Sequence, residues 1–205
     1  MSEHLKEIYD RIYGAKEITY GEGQPADILV KAMEYLNHGS ALEIGSGEGR
    51  NSLFLASEGF QVTAVDLSEV GMDKLKAKLE ENNLTAEIII SDIIEFDFTT
   101  NYDLIISTYT LFHLSKEKAL ALIEKIKSHT TVGGLNILTT FTEQSDFYTL
   151  GHGENEFYCK PNQLKTLYSD WEILKYEEVE VETNNKREDG SFMVNTAAEI
   201  IARKK

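Results

Sequence analysis

Between Ala41 and Ser57 the chain changes its apolar rhythm within a few residues, and that change limits the folds open to it. Ala41-Leu42-Glu43-Ile44 reads as a short buried strand and Asn51 to Ser57 as a helix, and the turn between them carries glycine at 45, 47 and 49. Glycine enters the left-handed backbone region without a Cβ penalty, so the chain can reverse sharply there and a ligand can approach the main chain. The helix that follows offers unpaired N–H groups and a partial positive charge at its first turn. A strand feeding a helix through such a turn is the opening of a β-α-β unit, which predicts a parallel sheet covered by helices.

The alternation continues downstream. After a polar start, Pro25 to Leu36 has helical apolar spacing with proline in its opening turn and stops at Asn37-His38-Gly39. Strands are predicted at Gln61 to Asp66, Ala86 to Ser91, Asp103 to Ser107 and, after Gly133-Gly134, Leu135 to Phe141. Ser68 caps a helix running to about Asn82, and Ser115 opens another through His129. Residues 142–160 break the pattern and read as a long loop. A short helix near Pro161 to Tyr168 precedes two last strands, 171–182 and 191–203, joined at the hairpin signal Asp189-Gly190. The expected architecture is α/β: a Rossmann-like, seven-stranded, mostly parallel sheet with helices on both faces and a C-terminal antiparallel hairpin.

Charge and cysteine content narrow the partners. The formal net charge is −15, and Lys74, Lys76 and Lys78 are interleaved with Asp73, Glu80 and Glu81. A phosphate backbone or an anionic membrane would meet net repulsion, so neither nucleic acid nor membrane is an expected partner. Cys159 is the single cysteine, which excludes an intrachain disulfide and a multi-cysteine zinc site. No other ligand cluster has recognisable metal spacing, and a metal-free site is expected. Neither a signal-peptide core at the N-terminus nor a run of about 18 apolar residues is present, which makes the cytoplasm the default location.

The turn at 45–49 discriminates among nucleotide ligands. A phosphate-binding P-loop needs Gly-Lys-Ser/Thr, but Gly49 is followed by Arg50-Asn51. A dinucleotide fingerprint needs glycine where Arg50 stands, which weakens an NAD(P)-dependent oxidoreductase without removing it as the alternative. Two acids stand where strands end. Asp66 closes the second strand, where a carboxylate can accept both ribose hydroxyl protons; helix capping is its other reading, and Ser68 already fills that role. Asp92 closes the third, with an ordinary loop acid as the alternative.

The run Glu43-Ile44-Gly45-Ser46-Gly47-Glu48-Gly49-Arg50 resembles the first motif of class I S-adenosylmethionine-dependent methyltransferases. That resemblance implies S-adenosylmethionine as cofactor, a small-molecule methyl acceptor, and in-line transfer. It implies that Glu43, Gly45, Ser46, Gly47 and Arg50 surround the methionyl part, Asp66 and Leu67 the ribose, Asp92 and Ile93 the adenine, and Ser107 the region of the sulfonium. Tyr20 covers the cofactor from the N-terminal side on this reading; core packing is the equal alternative. Tyr109, His113 and His152 are the acceptor-side candidates. His113 is a conceivable general base, with capping or packing the favoured reading. The implied organisation is one domain over 1–205: an N-terminal helical cap (1–40), a cofactor-binding core (41–141), and a lid-like loop, short helix and terminal hairpin (142–205). A non-catalytic regulator that binds the same cofactor would share every one of these motifs.

The Leu42 to Leu53 run, Tyr102 to Thr108, Trp171 to Tyr176 and the closing Ala202-Arg203-Lys204-Lys205 look like the bacterial tellurite-resistance methyltransferases, and less closely like thiopurine-type enzymes. Tellurite-methylating members are thought to use a His-Arg pair and a further Arg around the terminal hairpin. Here Asn184-Asn185 and Phe192 stand at those positions, with Lys186 and Arg187 following the pair. An oxyanion needs fixed guanidinium or ammonium donors, so the departure bears on substrate. Phe147, Tyr148, Phe157 and Tyr158 point instead to a partly apolar pocket under the irregular loop.

Overall fold

The computed structural model describes residues 2–16, 20–150, 156–187 and 189–205. Seven strands form one sheet: β1 (Ser40–Ile44), β2 (Gln61–Asp66), β3 (Glu87–Ile90), β4 (Tyr102–Thr108), β5 (Thr130–Phe141), β6 (Glu172–Lys186) and β7 (Phe192–Arg203). Their spatial order is β3-β2-β1-β4-β5-β7-β6. The first five run parallel, and β7 lies antiparallel between β5 and β6. The mostly parallel sheet and the terminal hairpin therefore stand as the sequence predicts, with the hairpin bend at Gly190 in the left-handed region (φ 86°).

Two apolar layers enclose the sheet because consecutive strand residues face opposite sides. Leu42 and Ile44 of β1 and Ile105 of β4 join Leu122, Ile123 and Ile126 of α5 (Lys116–Ser128) and Leu164 of α7 (Gln163–Leu167). Ala41, Leu104 and Ile106 face the other way. They meet α2 (Asp27–Ala32), α3 (Arg50–Ser57) and α4 (Glu69–Glu81) through Ile28, Leu55 and Leu75. Ser68 and Ser115 cap α4 and α5, accepting from the N–H groups of Gly71 and Lys118.

Four expectations need correction. The polar start is itself a helix, α1 (Ser2–Ala15), in which Leu5, Ile8, Tyr9, Ile12 and Tyr13 recur at helical spacing. The helix expected over Pro25–Leu36 shrinks to Asp27–Ala32: at its start the Asn51 side chain accepts the Ala26 N–H at 2.8 Å, and past Ala32 the Met33 and Glu34 N–H groups reach only three residues back, at 3.3 Å, so the chain ends in turns. β5 starts at Thr130, ahead of the glycine pair, since Gly133 adopts φ 82° and donates to the Lys204 carbonyl, which keeps the chain in the sheet. Inside the loop expected over 142–160 lies a short helix, α6 (Asp146–Thr149), and a bridge pairs Thr142 with Cys159.

The chain leaves β1 for β2 on one side and returns to β4 on the other. The carboxyl ends of β1 and β4 thus form the switch point where open α/β sheets place their ligands.

Candidate functional site

At the switch point the glycine turn is fastened from below by its own sheet. Gly45, Gly47 and Gly49 adopt φ of 74°, 57° and 78°, conformations that cost other residues about 1–2 kcal/mol each. The Gly45 and Ser46 N–H groups donate to the Val65 carbonyl at 2.8 and 3.1 Å. Asp66 bridges two elements, with Oδ2 accepting the Gly47 N–H and Oδ1 the Ser68 N–H, both at 2.8 Å. Burial pushes its carboxyl above the usual range, opposed by those backbone donors. The register pairs Asp66 with Ile90, and Ser91 donates to the Asp66 carbonyl at 2.9 Å, so Asp66 and Asp92 end neighbouring strands. Leu67 and Asp92 share a cavity of about 300 Å³ with Ile90, Ser91, Glu95, Glu3 and Lys6. Ile93 packs down onto the core instead.

Glu43 sits below this turn. It is 1% exposed, and its oxygens accept from Asn51 Nδ2 at 2.8 Å and Ser52 Oγ at 2.5 Å, which ties α3 to β1. Burial pushes its carboxyl up to about 7 despite those bonds. Ser46 Oγ points to the Met72 sulfur at 3.2 Å, and Ser107 Oγ donates to the Ile44 carbonyl at 3.1 Å. Arg50 donates to the Gln24 carbonyl at 2.9 Å. Tyr20 is about half exposed; its N–H donates to Glu48 at 3.2 Å and its ring lies 6.2 Å from Tyr13.

The turn is less open to a ligand than its glycines suggest. The places where side chains would project at Gly45, Gly47 and Gly49 are filled by Thr110, Tyr13 and Leu75, with the Tyr13 hydroxyl 2.5 Å from a Cβ built on Gly47. α1 causes this. Its Asp10 accepts from Ser68 Oγ at 2.5 Å and the Val70 N–H at 3.3 Å, which docks the helix on the start of α4 and lays Tyr9 and Tyr13 beside the turn. The spacing of Leu5, Ile8, Tyr9, Ile12 and Tyr13 is the signal that marks this helix in the sequence; its docking through Asp10 has no such local mark.

Across the switch point lies a second cavity of about 480 Å³, lined by Phe112, His113, Phe147, Glu156, Tyr158, Asn185, Lys186 and Met193. Tyr109, which follows β4, is not among its lining residues: it holds φ 53°, a strained conformation for a bulky residue, and its ring packs 5.1 Å from Phe141, behind Phe112 and Phe147. Burial holds its phenol up to about 12. His113 does not cap α5, but it packs, with its ring 3.9 Å from Phe112 and 5.3 Å from Tyr9. Its Nε2 is hydrogen-bonded to the Tyr9 hydroxyl at 2.6 Å, and burial lowers its pKa to about 4, so the ring is neutral at physiological pH. Phe147 and Tyr158 line the cavity as the loop aromatics suggested, and Tyr148 stacks 5.3 Å from Tyr158. Phe157 departs from that expectation: it is 1% exposed within the main core. His152 lies outside the described residues. Phe112, Met193, Asn185, Lys186 and Glu156 were not singled out as lining by sequence, since no local pattern links residues so far apart. Among the described residues no three His, Cys, Asp or Glu side chains are placed to share a metal, and no helix is long and apolar enough to cross a membrane.

The family described as "Tellurite resistance protein TehB" matches residues 13–195. The chain belongs to the TehB family. A relative from Haemophilus influenzae (strain Rd), named as a probable S-adenosyl-L-methionine-dependent methyltransferase TehB, is 32% identical over 182 residues, covering 86% of this chain and 61% of the relative. The chain thus spans about three-fifths of that relative's length. The crystal structure of TehB from H. influenzae superposes with a TM-score of 0.76 at 32% identity, covering 86% of this chain and 61% of that one. Magnesium protoporphyrin IX methyltransferase from Synechocystis, solved with bound S-adenosylhomocysteine, has a TM-score of 0.69 over 100% of this chain and 99% of its own, at 16% identity. That likeness concerns the fold. In this TehB family member Arg187, next to the expected oxyanion-binding positions, is held by Asp146 at 2.5 Å and by Ser191 Oγ at 3.1 Å.

Proposed function

We propose that this TehB family chain is an S-adenosylmethionine-dependent methyltransferase that alkylates a small organic acceptor held in the 480 Å³ cavity. The observation that carries the reading is the double tie of Asp66. A carboxylate fixed between the glycine turn and the start of α4 would accept from a cis-diol, with Leu67 beside it and Asp92 at the end of the neighbouring strand lining a cavity of about 300 Å³. Asp66 and Leu67 would hold the ribose and Asp92 the adenine, Ile93 being packed onto the core. Arg50 and the first turn of α3 would face the methionyl carboxylate, with Gly45, Ser46 and Gly47 shaping the turn and Tyr20 covering it. Glu43 and Ser107 would hold that shape from beneath.

When bound, S-adenosylmethionine supplies an activated methyl group whose C–S electron pair remains on sulfur as the acceptor's lone pair forms the new bond in line. The protein's share is alignment, worth up to about 7–11 kcal/mol when reacting atoms are held in near-attack geometry. Phe112, Phe147 and Tyr158 would exclude water and fix the acceptor's body, and Tyr109 and His113 would bound the transfer point. In this organisation residues 1–40 form a cap over the core at 41–141, and 142–205 close the acceptor side. The single cysteine, buried Cys159, fits a reducing compartment.

Isothermal titration with S-adenosylhomocysteine and with NADPH, followed by mass-spectrometric detection of S-adenosylhomocysteine across an acceptor panel, tests the reading. Binding of the first ligand alone, with turnover of at least one organic acceptor, is expected. Binding of NADPH without S-adenosylhomocysteine would replace the reading by an oxidoreductase, and tight binding with no turnover by a regulator.

A further inference from the structure

His113 stands on the wall of the 480 Å³ cavity with one of its two ring nitrogens already committed. Nε2 meets the Tyr9 hydroxyl at 2.6 Å, and the two rings cross edge to face at 5.3 Å. α1 holds Tyr9 in place for that contact. The neighbouring Asp10 accepts from Ser68 Oγ at 2.5 Å and from the Val70 N–H at 3.3 Å, and Tyr13, one turn on, packs 5.5 Å from Tyr9. Phe112 packs against the imidazole at 3.9 Å, so the ring is fixed in orientation as well as in place.

The remaining nitrogen, Nδ1, has no hydrogen-bond partner among the described residues. Nor is it one of the side-chain atoms buried without a partner, which are the Thr139 and Thr140 hydroxyls and Asn195 Nδ2. Nδ1 therefore opens onto accessible space, and the cavity is the accessible space that His113 lines. Which nitrogen carries the ring proton follows from acid and base strength. A phenol is a stronger acid than a neutral imidazole N–H, and an imidazole nitrogen is a better acceptor than a phenol oxygen, so Tyr9 donates and Nε2 accepts. Burial favours the same arrangement, since it keeps the Tyr9 phenol protonated and holds His113 neutral. The bond made at one ring nitrogen sets the state of the other, which leaves the proton on Nδ1.

We propose that His113 serves the acceptor as a neutral hydrogen-bond donor through Nδ1, with Tyr9 as the residue that positions its proton, and that the acceptor presents a carbonyl oxygen to it on an aromatic or apolar body. This rests on the methyltransferase reading and adds the polar contact by which the acceptor is chosen. In this tautomer neither ring nitrogen has a lone pair to take a proton from the acceptor, so His113 is not the base of the transfer. A donor fixed among Phe112, Phe147 and Tyr158 selects molecules that bring an acceptor atom, because one without it leaves the N–H desolvated and unpaired. α1, whose Glu3 and Lys6 line the 300 Å³ cavity, thereby sets a polar group in the other cavity.

The test uses the full chain with isotope-labelled histidine, saturated with S-adenosylhomocysteine near neutral pH, the His113 signals being assigned by their loss in His113→Leu. Long-range proton–nitrogen correlation spectra should show Nδ1 protonated and Nε2 without a proton. Tyr9→Phe, which keeps the ring, should move the proton to Nε2. Acetophenone should shift the Nδ1 signal and bind about 3- to 10-fold more tightly than isopropenylbenzene, its isostere with a methylene in place of the oxygen. In His113→Leu that preference should fall to within about 2-fold. A proton on Nε2 or on both nitrogens of the unaltered chain, a tautomer that Tyr9→Phe does not change, or a failure of acetophenone to bind more tightly than its isostere would each overturn the assignment. The ring signals are readable with or without S-adenosylhomocysteine. Loss of its binding therefore removes the methyltransferase reading, whereas the wrong tautomer removes the role of His113 alone.

Discussion

The two cavities flanking the switch point are built by different means. On the β1–β3 side the working groups belong to the main chain and to short side chains at the ends of successive parallel strands: the turn at 45–49, Asp66 and Asp92. On the β5–β7 side they are long side chains gathered from a 3-10 turn, a short helix and an antiparallel hairpin, such as Phe112, Phe147, Tyr158 and Met193. Main-chain sites are fixed by the fold itself and change little when a surface residue changes. Side-chain sites can be rebuilt one residue at a time, so one scaffold can keep its nucleotide cleft and exchange its acceptor. Asn184-Asn185 and Phe192 stand at positions where the resemblance to tellurite methylation implies His, Arg and Arg, which is the departure the proposed organic acceptor rests on.

If the division is real, damage on one side should not cross to the other. The largest effect is expected for Asp66→Ala, which leaves the Gly47 and Ser68 N–H groups without their acceptor and removes the proposed diol partner. A loss of about 2–4 kcal/mol in S-adenosylhomocysteine binding is expected, roughly 30- to 1,000-fold in dissociation constant by calorimetry. Phe112→Ala should leave that constant within about 2-fold; a loss comparable to Asp66→Ala would erase the distinction between the halves.

Titration offers a second contrast. Glu43, raised to about 7, binds its proton more tightly in the folded protein, so its contribution to stability is full below about pH 4.3 and is lost as pH rises through 7. His113, lowered to about 4, does the reverse: its contribution is full above about pH 6.5 and is lost as pH falls through 4. The two slopes oppose each other with at most about 3 kcal/mol apiece. Urea unfolding between pH 4 and 7.5 should therefore show stability rising with pH in Glu43→Gln, where His113 alone remains, and falling in His113→Asn. Parallel pH profiles in the two variants would show that neither group is buried as described.

A smaller effect tests the seam. Gly47→Ala would force a Cβ towards the Tyr13 hydroxyl at φ 57°, costing about 1–2 kcal/mol of stability in chemical denaturation, and the cost should be smaller when the substitution is made in a Tyr13→Phe background, which lacks that hydroxyl. No recovery in the double variant would mean that α1 does not bear on the turn. Smallest of all, Cys159, with its thiol pushed up to about 12 by burial, should fail to react with a disulfide reagent in the native protein.

Legibility in the sequence followed the same divide. Strands β1 to β4 and helices α3 to α5 were readable within a residue or two, because buried parallel strands are continuous apolar runs and Ser68 and Ser115 mark helix starts. The positions of Gly45, Gly47, Asp66 and Asp92 at the ends of successive strands were legible because each strand end is marked in the apolar pattern. What escaped was long-range: the docking of α1, whose Asp10 reaches α4 and whose Tyr9 reaches His113, and the lining contributed by Phe112, Glu156 and Met193. Glu43 was legible as a motif residue but not as the buried fastener of α3, since that requires knowing which face of β1 meets Asn51 and Ser52.

The insertion of β7 between β5 and β6 sets an order on how the molecule can be assembled at the ribosome. Glu172–Lys186 is synthesised before the strand that joins it to the rest, so β6 has no neighbour to pair with and β5 keeps an open flank until Phe192–Arg203 emerges. A nascent chain halted between those segments would present two unpaired strand edges at once, which makes that interval the one in which the polypeptide is most exposed to aggregation and most in need of a chaperone.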